Sequence, residues 1–202
     1  VNGALHLPAA RRPELNGWSW VALAVLRMRR HQPAHVVEVG IDGPGQMALH
    51  AKMLQPDVVI VTSITAEHNR SLPSLHIIRH EKVHMVKQLR SSGIAILNGD
   101  DVNVRWMAAQ SAGRVVFFGL GENNDLRALD IKDHGPHGTS FMLRMKEGER
   151  QVHTRLVGTP GVYATLAAVA VALELKHNFD DVAARLTALA PVDGRMRPVM
   201  LP

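Results

Sequence analysis

Val36-Val37-Glu38-Val39-Gly40-Ile41-Asp42-Gly43-Pro44-Gly45, followed by a helical stretch and then Val58-Val59-Ile60-Val61, decides the fold class of this chain. The first run stops at an acid and a Gly-rich turn. The second is a continuous β-branched run of the kind carried by a parallel strand buried on both faces. A helix from the turn through about residue 54, ended by Pro56, joins them, so the stretch predicts one β-α-β unit with strands at 36–39 and 58–61. In an open α/β sheet, ligands bind beyond the carboxyl ends of the strands. Polar residues that stop an apolar run are therefore the site candidates: Glu38, His68 and the turn Asn98-Gly99-Asp100-Asp101, with Lys82 between them.

Outward from this unit the rhythm continues. Helices are predicted over 17–30, 74–89 and about 102–110, with strands at 94–97 and 115–118. After Gly119 the texture changes to short strands at 126–132, 140–145 and 152–157, separated by Gly-containing turns, and two helices over 162–175 and 179–189 finish the chain. The predicted fold class is α/β: a mainly parallel doubly wound sheet with helices on both faces plus a small antiparallel β addition. One domain is expected over 1–202, with a parallel α/β part at 16–119, antiparallel strands at 120–158, and C-terminal helices with an exit segment at 159–197.

With 202 residues and 46% hydrophobic composition the chain can bury a substantial core. The absence of cysteine excludes disulfides, thiol nucleophiles and thiolate metal sites, so any metal must take oxygen or nitrogen ligands, and it fits a reducing, cytoplasmic setting. No run approaches the roughly 20 apolar residues of a membrane span, and residues 1–8 lack the pattern of a signal peptide. No membrane partner is expected. The net charge of +5 suits a phosphorylated ligand, whereas aromatics at 4% leave little stacking surface, so nucleic acid is disfavoured.

Each candidate has a plain reading beside its chemical one. Glu38 at a strand end can hold a divalent cation or orient a water, and equally can be a surface ion pair. His68, in a loop and one of 12 histidines, can ligate metal, contact phosphate or face solvent. Lys82 lies in an amphipathic helix among His80, Glu81 and His84, where the default is a solvated lysine. The turn 40–45 matches neither G-x-G-x-x-G nor G-x-x-x-x-G-K-[ST], and the chain holds no Walker A motif.

Taken together, Val37-Glu38-Val39-Gly40 through Pro44-Gly45-Gln46-Met47, Thr62-Ser63-Ile64 with His68, Lys82, and Leu97-Asn98-Gly99-Asp100-Asp101 resemble the central ATPase domain of the Mur ligases. Within that family the type that adds D-alanyl-D-alanine is most similar. It carries an E-M-G-x-x-x-P-G-E segment, a T-N-I-x-x-x-H loop, a lysine 14 residues after that histidine and an L-N-A-D-D turn; His68 and Lys82 are 14 apart here. The resemblance runs from about Asn16 to Arg197 and includes Gly194-Arg195-Met196 at the family's exit segment. It implies that Glu38, His68 and Lys82 hold magnesium near the phosphates of ATP, with Lys82 carbamylated, and act as the catalytic set. Asn16, Asn98, Asp101 and Arg195 would contact the nucleotide.

The implied activity is ATP-dependent carboxylate–amine ligation in cell-wall precursor or related biosynthesis: the γ-phosphoryl group passes to a substrate carboxylate, and an amine then displaces phosphate to form an amide. The implied partners are nucleotide and small carboxylate and amine substrates. The family's G-T-x-G-K-T phosphate loop has no counterpart, nor have its flanking domains; a truncated central domain, inactive alone, is expected, with another chain or domain supplying that loop. Its G-x-H-N-x-x-N segment reads Gly158-Thr159-Pro160-Gly161-Val162-Tyr163-Ala164, without His or Asn. The alternative is a Mur-ligase-like binding or scaffold module without catalysis.

Overall fold

A computed structural model describes residues 18–28, 31–66, 72–189 and 191–192. Its elements, in order, are α1 (Trp18–Leu26), α2 (Gln46–Leu54), β1 (Val58–Val61), α3 (Leu75–Lys87), β2 (Ile94–Asn98), α4 (Val102–Trp106) running into a 3-10 turn (Met107–Gln110), β3 (Arg114–Gly119), β4 (Leu126–Asp133), β5 (Thr139–Met145), β6 (Gly148–Thr154), α5 (Gly158–Glu174) and α6 (Phe179–Ala188). The strands follow the order β1-β2-β3-β4-β5-β6 in one mixed sheet, so the chain is α/β, with parallel strands followed by an antiparallel addition. Among the described residues, no helix is long and apolar enough to cross a membrane.

Two compact units divide the described residues: 18–97 with 101–115, and 98–100 with 116–192. In the first, β1 and β2 pair in parallel from Val58↔Ile94 to Val61↔Leu97. Helix α3 begins at Ser74, whose hydroxyl accepts from the Ile77 amide at 3.3 Å, and buries Ile78, Val83 and Val86. Helix α2 starts at Gly45, whose φ of 79° lies in the left-handed region that a side chain resists. In the second unit β4 lies parallel to β3 and antiparallel to β5, and β5 to β6. The Ala-rich helix α5 buries a continuous run from Thr165 to Ala172. An Asn178 cap opens α6, its side-chain Oδ1 accepting from the amides of Asp180 and Asp181.

Two expectations need correction. Residues 36–39 form no strand, because a strand exists only through a ladder and no described strand pairs with this segment; Val36 and Glu38 are exposed while Val37 and Val39 are half-buried. Strand β6 lies at 148–154 rather than 152–157. Its register is dictated by the tight turn after Met145, which pairs Met145 with Gly148, and not by its own apolar residues.

Candidate functional site

In the first unit, Lys82 stands on α3 four residues, about one turn, from each of two core residues, Ile78 and Val86, which are 1% and 0% exposed. That stripe makes Lys82 half-buried rather than the solvated lysine expected by default. Its neighbour Glu81 reaches across to α2, where Oε1 accepts the Gly45 amide at 2.9 Å. A carboxylate thus serves the N-terminus of a helix whose cap residue, a glycine, has no side chain to offer. Within the turn, the Asp42 amide donates to Gln46 Oε1 at 2.8 Å. Glu38 precedes this turn and is exposed.

Asp101 does two jobs with one carboxylate. Oδ1 caps α4 by accepting from the amides of Asn103 at 2.8 Å and Val104 at 3.2 Å, while Oδ2 accepts the amide of Ile64 at 2.7 Å. It therefore fixes the loop that leaves β1. His68 lies further along that stretch of chain, and it, Asn16 and Arg195 are outside the described residues. Among the described residues, no three His, Cys, Asp or Glu side chains come together as a metal site.

A neighbouring face of α3 carries an aromatic and cationic row. The rings of His76 and His80 have centroids 4.3 Å apart, His80 is 5.0 Å from the Trp106 ring, and the Arg79 guanidinium carbon stands 4.3 Å over Trp106. Partial desolvation, then the nearby cationic groups His76, Arg79, Lys87 and His84, hold the His80 pKa below the ordinary histidine value.

In the second unit, the turn after β2 is ordered by its own side chains. Asn98 is 7% exposed, and its Oδ1 accepts the Asp100 amide at 3.0 Å. Asp100 receives four donors: the amides of Leu120 at 2.5 Å and Gly121 at 3.0 Å, Asn124 Nδ2 at 2.8 Å and the Tyr163 hydroxyl at 2.7 Å. Desolvation pushes its carboxyl pKa up, but the bonds from Leu120, Tyr163, Asn124 and Gly121 outweigh this and leave it below the usual value. Burial and the Asp100 carboxylate push the Tyr163 phenol up. A Cβ at position 119 would overlap the Asp100 carboxylate and the Asn124 amide, so any side chain there would displace both.

Sequence reasoning named the turn Asn98-Gly99-Asp100-Asp101 but gave Asp100 no role of its own, and it did not single out Tyr163 or Glu81. The Tyr163 hydroxyl sits 63 residues from its acceptor and the Glu81 carboxylate 36 residues from its donor. The only local signal was the doubled acid of the Asn98-Gly99-Asp100-Asp101 turn.

Comparison with known proteins bears on the family and the fold. A profile of the Mur ligase middle domain matches residues 18–172, more than half of the chain. The UDP-N-acetylmuramoyl-tripeptide--D-alanyl-D-alanine ligase of Escherichia coli is 28% identical over 189 residues, covering 93% of this chain and 42% of its own length. Among solved structures, MurF from Acinetobacter baumannii superposes with a TM-score of 0.87 at 24% identity, over 99% of this chain and 44% of that one. MurF from Thermotoga maritima, solved in complex with ADP, gives 0.66 at 19% identity over 81% and 38%. At these identities the two structures speak for the fold. The chain spans less than half the length of each of these relatives.

Proposed function

Because this chain belongs to the Mur ligase middle-domain family, we propose that it is the nucleotide-handling part of an ATP-dependent carboxylate–amine ligase acting on a peptidoglycan precursor or a related substrate. One observation carries the proposal: the family match covers 18–172, the stretch that contains Glu38, His68, Lys82, Asn98 and Asp101. Asn16 and Arg195, proposed as nucleotide contacts, flank it.

The chemistry of the donors fits magnesium. A carboxylate at Glu38, an imidazole at His68 and a carbamate at Lys82 offer mainly hard oxygen ligands. Carbon dioxide adds to a neutral lysine amine with loss of a proton, and Lys82 is half-buried on α3 between the core residues Ile78 and Val86. Magnesium, when bound, supplies charge neutralisation at the phosphoryl oxygens. The remaining work falls to the chain. Asp101 fixes the start of the loop to His68, and Glu81 ties the helix bearing Lys82 to the turn that follows Glu38. The γ-phosphoryl group would pass to the substrate carboxylate, and the amine would then displace phosphate from the acyl phosphate as the amide forms.

A second reading, a nucleotide-free binding or scaffold module, is favoured by the segment 158–164. It lacks the family's His and Asn residues, and its Tyr163 is bound to Asp100. The two readings separate in one pair of measurements. Incubation with carbon-13 bicarbonate should give a carbamate resonance that is absent from Lys82→Ala, and calorimetric titration with Mg-ATP should give binding that weakens in Glu38→Ala and His68→Ala. Absence of both signals in a protein that also carries a phosphate-loop segment leaves the scaffold reading standing and sinks the ligase one.

A further inference from the structure

Helix α3 carries His76, His80 and His84 one turn apart. This row is not the Lys82 face: His80 and Lys82 are two residues apart, about 200° around the helix. His76 and His80 are both exposed, and their ring centroids lie 4.3 Å apart with the planes inclined at 43°. A transition metal bound to imidazole nitrogen at about 2.1 Å sits about 3.2 Å from the ring centre, so two rings bound at roughly a right angle stand about 4.5 Å apart. The observed spacing already matches this.

We propose that His76 and His80 form a two-imidazole chelate on the exposed face of α3 for a divalent transition-metal ion of the nickel, copper or zinc class, with water as the remaining ligands. A donor set of imidazole nitrogens alone disfavours magnesium, which needs mainly oxygen ligands, so this site is chemically separate from the oxygen-rich set proposed around Lys82. The nearest permanent cation, Arg79, is stacked on Trp106 and hydrogen-bonded at 3.5 Å to Asn103 Oδ1. Its charge and that of Lys87 oppose a dication and limit the affinity, while leaving the row of rings accessible.

Trp106 is a built-in reporter, since its ring lies 5.0 Å from that of His80. Titrating the full chain with copper(II) should quench tryptophan emission saturably, with nickel(II) acting at higher concentration. The midpoint should rise about tenfold or more in His76→Ala and in His80→Ala, and stay put in His84→Ala. In Trp106→Phe the saturable quench should vanish while calorimetric copper binding persists. An unchanged midpoint in either His76→Ala or His80→Ala overturns the site, as does displacement of copper by excess magnesium or a shift confined to His80→Ala and His84→Ala. None of these readouts involves nucleotide or carbamate, so this site and the ligase reading can fail separately.

Discussion

The Tyr163 hydroxyl donates to Oδ2 of Asp100 at 2.7 Å, joining the first turns of α5 to the turn that follows β2. With the amides of Leu120 and Gly121 and the side chain of Asn124, it makes Asp100 the point where three segments of the second unit meet. A charge-assisted bond of this kind stabilises more than a neutral one, though Asp100 is exposed and water recovers part of the difference.

Tyr163→Phe removes the donor and nothing else. The expected cost is about 1 kcal/mol, read as a lower urea midpoint with an unchanged slope. If the Asp100 contact is what holds α5 there, Asp100→Asn should lose much of the same interaction, and the double variant should cost less than the sum of the two. Additive losses would show that the two residues do not act together.

Acid should act through the same carboxylate. The unfolded chain titrates Asp100 near the ordinary 3.8 and the native chain below it, so between those values the unfolded state binds more protons and stability falls as the pH falls. The contribution is complete above 3.8 and is lost as the pH drops through the native value. Asp100→Asn should start less stable at neutral pH and lose less on acidification, as measured by urea unfolding across a pH series. Parallel acid losses in the two proteins would remove Asp100 as the source.

Asp101 separates capping from loop anchoring. Asp101→Ala should cost about 2 kcal/mol and speed hydrogen exchange at Ile64, Asn103 and Val104 together. Asn is as good a cap as Asp, but it has a single oxygen. Asp101→Asn should therefore keep Asn103 and Val104 protected while the Ile64 amide, facing an NH2 group, exchanges faster. Equal protection of all three amides in that variant would break the assignment of Oδ2 to the loop.

Much of the fold was legible because its signals are local. Pro56 and the β-branched run mark β1, Ser74 marks the start of α3, and Asp101 precedes α4 as a cap residue should. The segment 36–39 has strand-like residues but joins no ladder among the described strands, and β6, with the polar start Gly148-Glu149-Arg150-Gln151, takes its position from β5. Pairing is a property of two segments and cannot be read from one. The site divides the same way. The half-burial of Lys82 was available from Ile78 and Val86 at four-residue spacing, whereas the bonds of Glu81 to Gly45 and of Tyr163 to Asp100 depend on where the fold brings distant residues.

The last strand has a consequence for behaviour at high concentration. β6 ends the sheet, and an edge strand is a template for another chain to add to. Only Val152 and Thr154 of β6 are buried; Glu149, Arg150, Gln151 and His153 face water. Arg144 and Glu149 form an ion pair at 2.7 Å beside the hairpin turn, and the Thr187 hydroxyl of α6 reaches the His153 carbonyl at 3.4 Å. Edge-to-edge stacking of two copies would have to desolvate those charges and displace that hydroxyl, so this margin resists polymerisation by strand addition.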